Sequence, residues 1–230
     1  MFFFLLFLSI TALSQLVHEH SKPVPSFRII HGRVAGLHSH PYQVGIYVTG
    51  KIQSQFCGGS LVSNNYVLTA AHCVEDVNAL SMELIFGAHN VTDKSEETQV
   101  RRISTEFTVH PGTLAGWGIT SNTQNTVTPL LHEVNMTIMS NADCAAVSPS
   151  YKAFIKPSLL CTSGLESGVK VGFCKGDSGG PLVVGKGPDS WLQVGVVSFG
   201  QSDCEKGLPS VFERVAKYVD WVKANSDVVV

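Results

Sequence analysis

Gly176-Asp177-Ser178-Gly179-Gly180-Pro181 sets one serine into a run of glycines. With little side chain around it, such a serine can lift its hydroxyl into a cleft while nearby backbone N–H groups turn toward the same point. An acyl-transfer nucleophile needs that arrangement: an exposed Oγ beside donors that stabilise a tetrahedral oxyanion. Alone, the stretch also reads as a glycine-rich turn. Two further stretches decide between the readings. Leu68-Thr69-Ala70-Ala71-His72-Cys73 places a histidine directly after a β-rich run, and Arg28-Ile29-Ile30-His31-Gly32 stands upstream of it.

The pattern around these stretches is one of short strands and turns. Gln43 to Val48 alternates, Phe56 to Val62 follows a turn, and Asn64-Asn65 makes another before Tyr66 to Ala70. Met82 to Phe86, Leu130 to Ile138, Gly180 to Val184 and Leu192 to Phe199 continue the series. Strands so closely spaced, with few helical periods, predict an all-β barrel or sandwich. The exception is the end, where Val215, Tyr218, Val219 and Val222 fall at helical spacing beside Trp221, predicting an amphipathic C-terminal helix.

Taken in order, the three stretches resemble the chymotrypsin-like serine peptidases, and the resemblance runs from Ile29 to the C-terminus. It implies an all-β domain over 29–230, with two six-stranded antiparallel Greek-key barrels (first half 29–111, second half 112–230) and a C-terminal helix. It implies Ser178 as nucleophile, His72 as general base and acid, and the amides of Gly176 and Ser178 as the oxyanion hole. It implies a precursor cut after Arg28 by a trypsin-like protease, whose new Ile29 amine pairs with Asp177 in a buried ion pair that orders the nucleophile loop. Substrates would be proteins and peptides, with protein inhibitors as further partners, and the enzyme would be a monomer. Six cysteines allow fifteen pairings. The resemblance selects Cys57–Cys73, Cys144–Cys161 and Cys174–Cys204.

Composition bounds the rest. The 230 residues are 44% hydrophobic and 15% charged, with a formal charge of −2, which argues against nucleic acid or an anionic membrane as partner. Residues 1–14 read as a secretory signal, with the apolar run Phe2 to Leu8 and small residues after it, so a secreted, extracellular protein is expected. Residues 15–28 are polar, carry Pro23 and Pro25 and end in Phe27-Arg28, as an activation peptide would. Export makes Asn90 and Asn135 candidate glycan sites. No Cys-x-x-Cys occurs, and His31, His38 and His40 lack an accompanying ligand pattern, so no metal or cofactor is expected. A loop from Gly87 to Glu97 corresponds to a calcium loop in some relatives, but Ala88 stands where a carboxylate is wanted.

One departure from the family's pattern is large. The triad aspartate, which orients the imidazole and stabilises its charged form, belongs between the histidine and a Gly-Trp-Gly, in an Asp-Ile-Ala-Leu-type run. Here Thr108-Val109-His110-Pro111 is followed at once by Gly112 to Gly118, and only 45 positions separate His72 from Trp117. By the resemblance, roughly 35–40 residues are missing at Pro111/Gly112, including the aspartate and one barrel strand. Asp76 and Asp93 are the nearest stand-ins in sequence. This chain is therefore expected to be weakly active or inactive, or else a non-catalytic homologue that binds proteins. Carried over residue by residue, the specificity slot has Gly172 as floor, Phe173 beside it, Ser198 and Gly200 as wall and Ser210 opposite. No carboxylate stands among them, and the two glycines leave room, so a large apolar or aromatic P1 side chain is expected.

Overall fold

The computed structural model describes residues 29–30, 32–75, 77–106, 116–118, 128–185, 191–200 and 203–229. The proposed signal and activation segments, His31, Asp76 and the Pro111/Gly112 junction lie outside the described residues. The first half contributes β1 (Arg33–Val34), β2 (Gln43–Gly50), β3 (Ser54–Leu61), β4 (Val67–Leu68), a single helical turn α1 (His72–Glu75), β5 (Ala79–Phe86) and β6 (Val100–Ser104). Five of these strands form one antiparallel sheet in the order β4-β3-β2-β5-β6, with β2 at its centre. The alternation read in the sequence is the reason. Val44, Ile46 and Val48 point inward and are fully buried, while Tyr47 is exposed. Each such burial contributes about 1.5–3 kcal/mol.

The second half contributes β7 (Gly116–Gly118), β8 (His132–Glu133), β9 (Ile138–Met139), α2 (Asn141–Ala146), α3 (Pro149–Phe154), β10 (Leu159–Thr162), β11 (Leu165–Glu166), β12 (Val169–Lys170), β13 (Gly176–Asp177), β14 (Pro181–Val184), β15 (Leu192–Phe199), β16 (Ser210–Arg214) and α4 (Val219–Asn225). Its main sheet is also antiparallel and five-stranded, in the order β14-β15-β16-β10-β9. One apolar cluster spans both halves, joining Ile46, Val74 and Met82 to Leu160, Val196 and Phe212.

One expectation needs correction. Leu130 to Ile138 is not one strand: Leu130 bridges to Asn90, β8 pairs with β1, and Ile138 pairs with Thr162. This segment crosses between the halves and takes its partners from each in turn. The C-terminal helix forms as expected: α4 packs on the turn at residues 215–217 that follows β16 of the second half, and it also reaches a cavity shared with the first half. Tyr218, Trp221 and Val222 line an apolar cavity of about 1100 Å3 together with Ile46, Met82 and Leu84 of the first sheet. Asn65 Nδ2 donates to Asp227 Oδ2 at 2.6 Å beside it. Among the described residues β4 and β6 are the edges of that sheet, and side chains of β6 stand at the same cavity.

Candidate active site

The loop carrying Ser178 is fastened at several points. Cys174 is bridged to Cys204, and its amide donates to Asp177 Oδ2 at 2.7 Å. The Asp177 amide returns to the Cys174 carbonyl at 3.0 Å, which closes the turn. Gly176 opposes Gly118 in the β13–β7 pair. Gly176 and Gly179 hold φ at +91° and +96°, a region in which a side chain is strained. The glycines that frame Asp177-Ser178 are thus required by the backbone.

Ser178 is half-buried, and its carbonyl accepts from the Gly58 amide of β3 at 2.8 Å. That bond ties the serine to the first half, next to the Cys57–Cys73 bridge. Cys73 Sγ lies 3.7 Å from the Ser178 carbonyl oxygen and 3.8 Å from His72 Nε2. The imidazole and the serine therefore flank the same sulfur. Local bonds set His72 there: Gln55 Nε2 donates to the carbonyls of His72 and Cys73, and Thr69 Oγ1 donates to the Gly58 carbonyl at 2.7 Å. Buried Ala70 and Ala71 seat the turn, and Nδ1 of His72 is itself buried.

Of the sequence candidates to orient that imidazole, Asp93 is committed elsewhere. Its Oδ1 accepts from the amide and hydroxyl of Ser95, which hold its carboxyl below the usual range. In the same loop the Glu96 carboxylate accepts from the amides of His89 and Asn90, while Gln99 Nε2 donates to the carbonyls of Asn90 and Asp93. Ile29 sits at φ +43°, an unfavourable backbone for a β-branched residue, and lines a cavity of about 290 Å3 that Asp177 also lines. Asp177 is 5% exposed.

Of the residues assigned to the slot, Gly172 lies beside Ser210 and Gly200 beside Phe173. A Cβ added to Gly172 would meet Ser210 Oγ at 3.1 Å, and one added to Gly200 would meet the Phe173 ring at 3.3 Å. Ser198 and Ser210 are buried. The three disulfides join Cys57 to Cys73, Cys144 to Cys161 and Cys174 to Cys204.

A polar tie beside the 290 Å3 cavity was not legible in the sequence. Glu133 of β8 accepts from the Arg33 guanidinium at 2.7 Å, and its Oε2 lies 2.5 Å from His40 Nε2. His40 Nδ1 in turn lies 2.9 Å from the Tyr42 hydroxyl, whose ring packs edge-on against Trp191. Partial burial raises the Glu133 carboxyl, but hydrogen bonds and charge from Arg33 and His40 outweigh it and hold the group below its ordinary value. Burial, with the Glu133 charge as the lesser cause, pushes the Tyr42 phenol up to about 12. His40 showed no partner in sequence because Glu133 lies 93 positions away.

Two antiparallel sheets that share a core, with a glycine-framed serine from one half and an imidazole from the other meeting at a disulfide, have the architecture of the two-barrel serine peptidases. The trypsin family model matches residues 29–115 and 104–222, and the chain belongs to that family of serine endopeptidases. It is 32% identical to a chymotrypsin of Phaedon cochleariae over an alignment covering 88% of this chain and 84% of that protein. It is also 32% identical to brachyurin of Leptuca pugilator, covering 87% of this chain and 99% of that protein. The solved structure of HL collagenase superposes with a TM-score of 0.66 at 30% identity, covering 88% of this chain and all of that one. Among the described residues no helix is long and apolar enough to cross a membrane.

Proposed function

We propose that this chain is a secreted serine endopeptidase of chymotrypsin-like type, made as a precursor and activated by cleavage after Arg28. Ser178 Oγ attacks the scissile carbonyl carbon while His72 Nε2 takes its proton, and His72 then returns that proton to the leaving amine. The amides of Gly176 and Ser178 hold the oxyanion. Water repeats the attack on the acyl-enzyme. The freed Ile29 amine pairs with Asp177, and the strained φ of Ile29 in the uncut chain favours its departure from that turn. The slot lacks a carboxylate, so the P1 side chain is uncharged. The observation that carries this reading is the pair of contacts at Cys73 Sγ, with the Ser178 carbonyl anchored on Gly58.

The same reading holds that a block carrying the triad aspartate is lost at Pro111/Gly112. Three observations support it. The two family matches overlap between residues 104 and 115, at that junction. The alignment with the Phaedon protein runs over 248 positions yet draws on 88% of a 230-residue chain, so many aligned positions have no residue here. The cavity of about 1100 Å3 is lined in part by Val100, Arg102 and Ser104 of β6, an edge strand of the sheet beside which a further strand would pair. The second reading, a non-catalytic homologue that binds proteins or protein inhibitors, rests on that same loss. Labelling with a serine-directed fluorophosphonate after trypsin treatment separates the two. Labelling that Ser178→Ala abolishes and His72→Ala slows supports the peptidase; a folded sample that takes no label supports the homologue.

A further inference from the structure

The slot beside Ser178 has an occupant of its own. Phe173 directly follows the floor residue Gly172, and its ring reaches the opposite wall. A Cβ built on Gly200 would stand 3.3 Å from Phe173 Cε2 and 3.7 Å from Cζ. Apolar atoms in good contact sit about 3.5–4.0 Å apart. The space over Gly200 is therefore already taken by the ring tip, and no second ring can enter between them. From behind, the fully buried Phe212 meets Phe173 edge-on, with centroids 5.4 Å apart at 86°. The ring also packs on the core cluster that holds Val196 and Val197. Cys174, the next residue, is tied to Cys204, so the backbone under the ring is fixed as well. At the floor the room left by Gly172 is met by Ser210 Oγ, 3.1 Å from where a methyl would stand.

We infer that the Phe173 ring bars this slot to large side chains, and that the chain takes substrates and inhibitors with a small aliphatic P1 residue such as alanine. The inference rests on the serine-peptidase reading above. It reverses the size, though not the apolar character, of the P1 residue expected from two glycines in the slot. Gly172 and Gly200 create room that Phe173 and Ser210 then occupy.

The test is equilibrium binding, which needs no turnover. A small protein inhibitor with a rigid reactive-site loop is made with Ala, Leu or Phe at P1 and titrated calorimetrically into the full chain cut after Arg28. Alanine is expected to bind at least about tenfold more tightly than phenylalanine, the scale of discrimination a filled pocket gives. Phe173→Gly is expected to reverse that order, tightening the Phe inhibitor by about tenfold or more. If Phe173→Gly does not fold, the ranking in the unmutated chain decides alone. A phenylalanine inhibitor that binds that chain as tightly as the alanine one overturns the inference, and so does failure of all three to bind. Ser178→Ala should keep the ranking while losing fluorophosphonate labelling. Preserved ranking without labelling in the unmutated chain thus overturns the catalytic reading and supports the slot, whereas labelling with a reversed ranking does the opposite.

Discussion

The two halves hold their shares of the site in different ways. The Ser178 loop is pinned by the Cys174–Cys204 bridge, by paired bonds between Cys174 and Asp177, and by the β13–β7 pairing. His72 stands on a four-residue turn seated by Gln55, Thr69 and one disulfide, in a sheet that opens on an apolar cavity. The serine's surroundings are thus set by local covalent and backbone constraints. The imidazole's depend more on packing against the first sheet, where Ala70, Ala71 and Val74 are buried around its turn. A loss at Pro111/Gly112, as proposed above, falls in the half whose share of the site rests on packing and spares the half held by local bonds.

The sharpest way to break this comparison is to repair the weaker half. Inserting a family segment of roughly 35–40 residues, with its aspartate, at Pro111/Gly112 should raise kcat for a peptide substrate by about 10⁴, the loss seen when a triad acid is neutralised. Peptidase assay of the activated chain checks it, and an unchanged rate would place the defect elsewhere. Next, Asp177→Ala strips an acceptor from the Cys174 amide inside a buried loop. Denaturant unfolding should show a loss of about 1–3 kcal/mol, and fluorophosphonate labelling should fall more steeply than stability does.

Glu133→Gln tests the tie between the halves, with an expected cost of about 1 kcal/mol or less at neutral pH because Arg33 is largely exposed. The sign of its pH dependence follows from a folded-state carboxyl held below its ordinary value. Its contribution is present above the usual carboxylate range of about 4.3 and is lost as pH falls through the lower folded value. The variant should therefore lose part of the acid limb of a stability–pH profile. The smallest effect belongs to Tyr42→Phe. With the phenol pushed up to about 12, its neutral form adds stability that is complete below about pH 10 and lost as pH climbs from there to about 12. The variant should flatten the alkaline limb alone.

Much of this was legible in the sequence because its causes are local. The glycines around Ser178 answer to positive φ, and the alternation of Gln43 to Val48 answers to one buried face. What was missed depends on distant partners or on weak signals. Glu133 meets Arg33 across 100 positions. Phe173 could be placed in the slot, but not its contact with Gly200. Helices α2 and α3 announced themselves only through Ser140, which caps onto Asp143, and through Ser148 before Pro149. Each is six residues long, too short to show a helical period.

The bond from the Gly58 amide to the Ser178 carbonyl couples posture to chemistry. Because the half that carries the imidazole also grips the serine's backbone, any parting of the halves draws Ser178 away from His72 in the same motion. Mild denaturant or mechanical load that merely loosens this seam should silence the serine while both sheets are still intact, so its reactivity serves as a gauge of closure.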